Sequence, residues 1–356
     1  MFSMMRVVLA ALMSVWIGGV ALAEAPGSVE LKFAPEVGRV EYRRMVTKTV
    51  GSMQMPPPMG EQKMSQTMEQ LMRAECIRIN EDGSVVYEIS TPELKMDMVV
   101  GGIKQSFDSR AAKKNGEDAA PSSGTAPGPD CAMLKAMTEI RYHLIRSPEG
   151  EPIRMEGYAE AMRKAMEEVR GQSPVLDQML EMMSKSFDDE TILKMLKSSM
   201  HSVFRKAPVR VGESWKQADR VKFPFGAMEM DVDTEYKLVG VEPMAGRSCA
   251  KILITRTMRS QPNAASENPM AQFMDMKLLD SNGEGVMWWD IERGDPVRMK
   301  EVTNMTMEMS VKNPAATQPA ESVNVGPMVQ KLQTSTTVDL VDPPPADERT
   351  EENPAP

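Results

Sequence analysis

The chain has only three cysteines and two histidines in 356 residues. Cys76, Cys131 and Cys249 are too few and too widely spaced for a disulfide scaffold or a zinc motif, and at least one must stay unpaired within a monomer. An oxidising compartment would permit one bridge without fixing the pair. Cys131, beside a segment poor in large apolar residues, is the accessible candidate, and burial as free thiols is the plain expectation for the others. His143 and His201 are the whole supply of imidazoles, and neither belongs to a catalytic or metal-binding pattern. There is no nucleophile elbow, no His-Glu-x-x-His, no phosphate-cradling glycine loop and no calcium loop. His143 falls on the Arg141 side of an alternating segment and reads as a solvated strand residue. His201 lies near a helix C-terminus, where an imidazolium suits the dipole. The acid pairs Asp188-Asp189 and Glu167-Glu168 read as caps and wet faces. These absences point away from an enzyme and from any cofactor.

Positive charge is also in deficit, with 42 basic against 51 acidic side chains and a net charge of -9. That excludes general binding to nucleic acid and to anionic lipid surfaces, both of which are themselves negative. Long apolar runs are missing except at the start. There Arg6 precedes Val7 to Val20, and Ala21-Leu22-Ala23 supplies an A-x-A cleavage site, so residues 1–23 read as a secretory signal and Glu24 as the mature N-terminus. The run is short for a membrane span and is interrupted by Ser14, Gly18 and Gly19. No cysteine follows for lipidation, and no later segment is apolar enough to span. The expected location is therefore periplasmic or extracellular.

The remainder, 24–341, reads as one β-rich domain. Four segments lack the apolar side chains needed to offset ordering: a disordered loop near 109–130, loops near 260–269 and 313–327, and a tail over 342–356. Between them the dominant period is two. In 228–238, Met228, Met230, Val232, Thr234, Tyr236 and Leu238 alternate with Glu229, Asp231, Asp233, Glu235 and Lys237. Val297, Met299, Met305, Met307 and Met309 alternate with Arg298, Lys300, Asn304, Thr306 and Glu308, with Glu301 and Thr303 breaking the pattern. Similar alternation at 85–89, 140–144, 250–254 and 332–340 predicts an antiparallel sheet with one apolar and one wet face. The turn sequences at 80–83, 147–150 and 292–296 agree. Met64 to Cys76 fits helix or strand and leans to strand. Over 157–204 the period changes: 157–170, 173–187 and 189–204 carry Met, Leu or Ala at helical spacing, with Ser173-Pro174 as one start and Asp188 or Asp189 as the third helix's cap. The fold class is α+β: a large, curved antiparallel meander, half-barrel-like, with this helical insert packed on its apolar face.

What the chain has in excess is methionine, 36 residues against 18 leucines. Three explanations remain open. Thioethers suit Cu(I), and Met53, Met55 and Met59 share a proline-stiffened loop. Methionine can simply replace leucine as core filler. A methionine-lined site can also accept an apolar ligand such as a lipid or acyl chain, for which Met195, Leu196, Met200, Met230, Tyr236, Met305 and Met307 are the candidates.

The signal segment, Val209-Arg210-Val211-Gly212-Glu213-Ser214-Trp215, and the hairpin from Gly283-Glu284-Gly285 to Trp289-Asp290-Ile291-Glu292-Arg293-Gly294-Asp295-Pro296 resemble an uncharacterised family of exported bacterial proteins. The layout is also similar to the half-barrel carriers of the lipoprotein-localisation type, whose curved sheet wraps helices and shelters acyl chains. That likeness implies an envelope binding protein and carries over no functional residue. A structural or protein-interaction module without a small ligand is the remaining alternative.

Overall fold

A computed structural model describes residues 27–55, 60–114, 134–135, 137–168, 189–199, 207–222, 229–260, 274–311 and 325–344. The signal segment, Met59, Cys131, the 173–187 helix, Met200 and His201 lie outside them. Strands dominate, as the alternation predicts: β1 (Ser28–Val29), β2 (Val40–Gln54), β3 (Glu61–Ile79), β4 (Val85–Val100), β5 (Ile103–Asp108), β6 (Arg141–Arg146) and β7 (Pro152–Glu156) in the first half. After the helical insert come β8 (Val209–Arg210), β9 (Ser214–Lys222), β10 (Glu229–Met244), β11 (Arg247–Ser260), β12 (Met274–Asp290), β13 (Asp295–Val311) and β14 (Val325–Val341). The described helices are α1 (Ser109–Lys114), α2 (Tyr158–Glu168) and α3 (Asp189–Ser199).

β1 pairs with β8, and the other twelve strands form one antiparallel sheet in the order β7-β6-β4-β3-β2-β14-β13-β12-β11-β10-β9, with β5 sharing an edge of β4. The chain lays down one meander outward from β2 to β7, crosses through the helices, and meanders back from β9 to β14, which seals against β2. Ambiguous Met64 to Cys76 is strand, paired with β2 on one side and β4 on the other.

The sheet must curl. Laid flat, β7 and β9 would be about 48 Å apart at the usual strand spacing. Yet α3, about 16 Å long at helical rise, packs on both of them. Leu31 joins a core with β10, β11 and β12, while Phe33, two residues on, joins one with β3, β4 and β6. In a flat sheet β4 and β11 would be about 29 Å apart, which two extended residues, about 7 Å, cannot bridge. The result is a half-barrel whose seam is spanned by the insert, with α3 and residues 28–33 on its inner face.

Three expected loop boundaries need correction. Residues 109–114 are not loop: Asp108 Oδ1 accepts the Arg110 and Ala111 amides at 2.9 and 3.4 Å, and buried Ser109 accepts the Leu94 amide at 2.9 Å, fastening α1 to β4. Ser260 and residues 325–327, assigned to loops, extend β11 and β14, because paired backbone overrides poor local composition. Asp189, expected at the start of the third helix, opens α3, and its Oδ1 accepts the Ala159 amide at 2.7 Å in the first turn of α2.

Candidate functional site

Directly paired residues share a sheet face, so the register divides the interior into levels. The lower level, the base, is packed by its own side chains. Val29, Leu31, Val209, Tyr236, Leu238, Ala250, Ile252, Ile254, Met287 and Trp289 form one buried cluster. Tyr236 stacks on Trp215 with ring centroids 5.4 Å apart, and burial raises its hydroxyl pKa. A second cluster joins Phe33, Cys76, Tyr87, Leu144, Met155 and Leu193. Cys76 and Cys249 are fully buried and free, so they do not bridge each other. Burial pushes the Cys249 thiol up to about 11.

The inner end of the base holds charge. Asp295 receives Arg39 Nη2 at 2.6 Å and Arg43 at 3.4 Å, and Glu41 receives Arg39 at 3.1 Å. Burial pushes the Asp295 carboxyl up to about 6, with Arg43, Arg146 and Arg39 pulling against it and Glu41 reinforcing it. The Arg146 guanidinium lies 4.3 Å over the Phe33 ring and donates to the Gly150 carbonyl at 2.6 Å. Gly294, at φ 69°, presses on the same N-terminal segment: a Cβ there would lie 2.2 Å from the Lys32 carbonyl oxygen. The Gly294-Asp295 part of the hairpin motif therefore fastens residues 28–39 into the barrel.

Above the base runs a polar belt. Arg256 of β11 reaches across β12 to buried Glu301 of β13 at 3.2 Å. It can do so because β12 offers glycines there: a Cβ on Gly283 would sit 3.3 Å from Arg256 Cβ, and one on Gly285 2.8 Å from the Lys300 carbonyl oxygen. Glu301, which breaks the alternation in sequence, thus keeps its inward place by pairing with half-buried Arg256. Thr47 meets Thr336 at 3.5 Å and Thr49 meets Thr334 at 3.2 Å, continuing the belt across β2 and β14.

Beyond the belt lies the mouth. Met230, Leu278 and Met307 are buried together, with Met258, Met276, Met305 and Leu332 packed against them. The row of Met305 continues around the curve as Leu332–Gly51–Met64–Val100, and the belt row itself continues from Thr47 as Met68–Met96–Phe107. Met64, Met68, Met96 and Met98 are only half-buried. The outer face is charged and paired, with Arg220–Asp231, Lys216–Glu235, Arg259–Asp233 and Arg44–Glu69. A transmembrane barrel would carry an apolar band there. Among the described residues no helix is long and apolar enough to cross a membrane, and no group of three His, Cys, Asp or Glu side chains is disposed to hold a metal.

The apolar-ligand candidates separate accordingly. Met230, Met305 and Met307 meet in the mouth. Tyr236 is locked in the base, and Leu196 packs beside the Cys76 cluster. The Met195 and Met200 side chains lie outside the described residues. Of the copper candidates, Met53 lies on the inner face opposite Gln62 and Gln330, while the Met55 amide closes the hairpin onto the Gly60 carbonyl at 2.8 Å. Sequence reading missed the glutamines of the mouth, although Gln62, Gln66 and Gln70 interleave with Met64 and Met68 at strand spacing. It also missed residues 28–33, where Val29, Leu31 and Phe33 alternate.

A hollow of about 330 Å³ lies where β2, β14 and β13 run side by side, lined by residues 50–52, 331–333 and 304–306, which belong to both faces of the sheet. Another of about 440 Å³ follows α2 and is lined by charged Glu160, Arg163, Lys164 and Glu167.

No curated protein matches the chain. Among solved structures, one of lipovitellin, concerned with its lipid–protein interactions, is 8% identical with a TM-score of 0.41, covering 86% of this chain and 25% of that one. The chain thus spans a quarter of that protein's length. OpdQ of Pseudomonas aeruginosa is 6% identical with a TM-score of 0.24, covering 86% and 100% of the two chains. An outer membrane channel of Pseudomonas putida is 7% identical with a TM-score of 0.20, covering 87% and 98%. Likeness this distant carries no functional argument. Residues 82–294, more than half of the chain and including both quoted motifs up to Gly294, match the family of unknown function DUF6263, and the chain belongs to that family.

Proposed function

We propose that this is an exported envelope protein without catalytic activity that holds an elongated apolar ligand, a lipid or acyl chain, in the methionine-lined mouth of its half-barrel. The observation that carries the reading is the half-buried thioether surface formed by Met64, Met68, Met96 and Met98 beside the Met230–Met307 cluster. Flexible, polarizable thioethers adapt to an aliphatic chain. The polar belt is level with Met68 and Met96, and the filled base below gives the site a floor. The buried carboxylates Asp290, Asp295 and Glu301 each face an arginine, which suits a structural rather than an acid–base role. The signal segment with its A-x-A site supports export.

Organic extraction of protein purified from its native compartment should release lipid, and the delipidated protein should bind a fluorescent fatty acid saturably. Met68→Glu together with Met96→Glu should abolish that binding while the melting temperature stays near the parent's. Absence of saturable binding by the parent protein would end the proposal. Tight Cu(I) binding lost on Met53→Leu and Met55→Leu would transfer the site to metal handling, and a stoichiometric co-purifying protein without lipid would favour an interaction module.

A further inference from the structure

On the inner face of β3 and β4, three half-buried methionine sulfurs each accept a glutamine side-chain amide. Gln330 Nε2 lies 3.4 Å from Met64 Sδ, Gln66 Nε2 lies 3.5 Å from Met96 Sδ, and Gln70 Nε2 lies 3.6 Å from Met68 Sδ. The first contact spans β2, where Gly51 pairs with Leu332 on one side and Met64 on the other; Leu332 fills the space over Gly51, since a Cβ there would sit 2.7 Å from Leu332 Cδ2. A thioether is a weak acceptor, so an amide aimed at one gains little by it. A sulfoxide oxygen on the same sulfur is a strong acceptor within reach of the same donor.

We propose that Met64, Met68 and Met96 are reversible oxidation sites whose sulfoxides are received by Gln330, Gln70 and Gln66. The oxidant is a two-electron peroxide. The sulfur lone pair attacks one peroxide oxygen, the O–O bond breaks, the sulfur keeps that oxygen, and hydrogen peroxide leaves as water. A dithiol reductase reverses the step, taking the oxygen as water while its own thiols close to a disulfide. Oxidation of a buried methionine normally disrupts its core, because a polar group is left without a partner. Met287 and Met155, buried among apolar side chains in the base, would suffer that fate. The three mouth methionines are half-open to solvent and already have donors, so their oxidation should leave the fold standing. This inference does not depend on whether the mouth holds a ligand.

The test is peroxide treatment of the delipidated, signal-cleaved protein, followed by peptide mass spectrometry and thermal melting. Met64, Met68 and Met96 should each gain one oxygen at least about tenfold faster than Met287 and Met155, and the melting temperature should barely move. Methionine sulfoxide reductase should then restore the thioethers in the folded protein. In a Gln66→Leu, Gln70→Leu, Gln330→Leu variant, the same degree of oxidation should lower the melting temperature by clearly more than in the parent. If that variant does not fold, Gln70→Leu alone, read at Met68, makes the same comparison. Equal oxidation rates in mouth and base, or an equal loss of stability with and without the glutamines, would overturn the proposal.

Discussion

The base and the mouth are made from the same strands with the same alternation, yet one is filled and the other is half-open. In the base, residues 28–33 and α3 lie across the inner face, so Leu31, Phe33 and Leu193 supply the second layer that the sheet needs. In the mouth, β2, β3, β4, β13 and β14 run on past that layer, and their inward residues change from Val, Ile and Tyr to Met, Gln and Thr. The lesson is that alternation sets which residues face inward, whereas filling depends on what segment of chain is laid over them.

The sharpest break in that contrast should come at Asp295. Asp295→Ala removes one of the two carboxylates, Asp295 and Glu41, that Arg39 and Arg43 share, and should cost about 3–5 kcal/mol in chemical denaturation, the range for breaking a buried ion pair. Loss of less than about 1 kcal/mol would mean that the fastening of residues 28–39 behaves as a surface contact.

Met307→Lys tests where the mouth begins. Met307 is buried against Met230 and Leu278, and an unpaired ammonium there should cost roughly 3 kcal/mol or more. Thr306→Lys, on the opposite face, should change stability by less than about 0.5 kcal/mol. Equal shifts in melting temperature would show that β13 presents a different face.

Gly285→Ala probes the belt that separates the two regions. Its new Cβ would press on the Lys300 backbone and Glu301, so a loss of about 1–3 kcal/mol is expected from overpacking. The Arg256→Met, Glu301→Met double variant should be better tolerated than either single substitution, because it removes both charges at once.

In the mouth itself, Met68→Gln should cost under about 1 kcal/mol, since the side chain is half-buried and keeps its volume. The smallest effect concerns the thiols. Cys76 and Cys249, buried in the base with raised pKa values, should not react with a disulfide reagent at mildly alkaline pH until denaturant is added. Reaction of either in the folded protein would show that the base opens.

Much of this architecture is legible in the sequence because its physical cause is local. Alternation at 228–238 and 297–311 identifies β10 and β13 and their inward residues, and the glycine-bearing turns at 80–83, 147–150 and 292–296 separate the strands they were expected to separate. Glu301 and Thr303 looked like faults because their partners, Arg256 and Thr334, are distant in sequence. The contact of Asp189 with α2 is hidden for the same reason: the Ala159 amide it accepts is thirty residues away.

The sequence alone determined the strands, their two-sided polarity and the membership of 158–168 and 189–199 in helices, because backbone period and side-chain type act within a few residues. Only the tertiary structure decided that the sheet curls until α3 meets both β7 and β9, that Gly283 and Gly285 make way for Arg256, and that Gln66, Gln70 and Gln330 meet the sulfurs of the mouth. Those outcomes depend on strand order and on the path of residues 28–39. They are settled by contacts between residues far apart in the chain, where no local pattern can specify the partner.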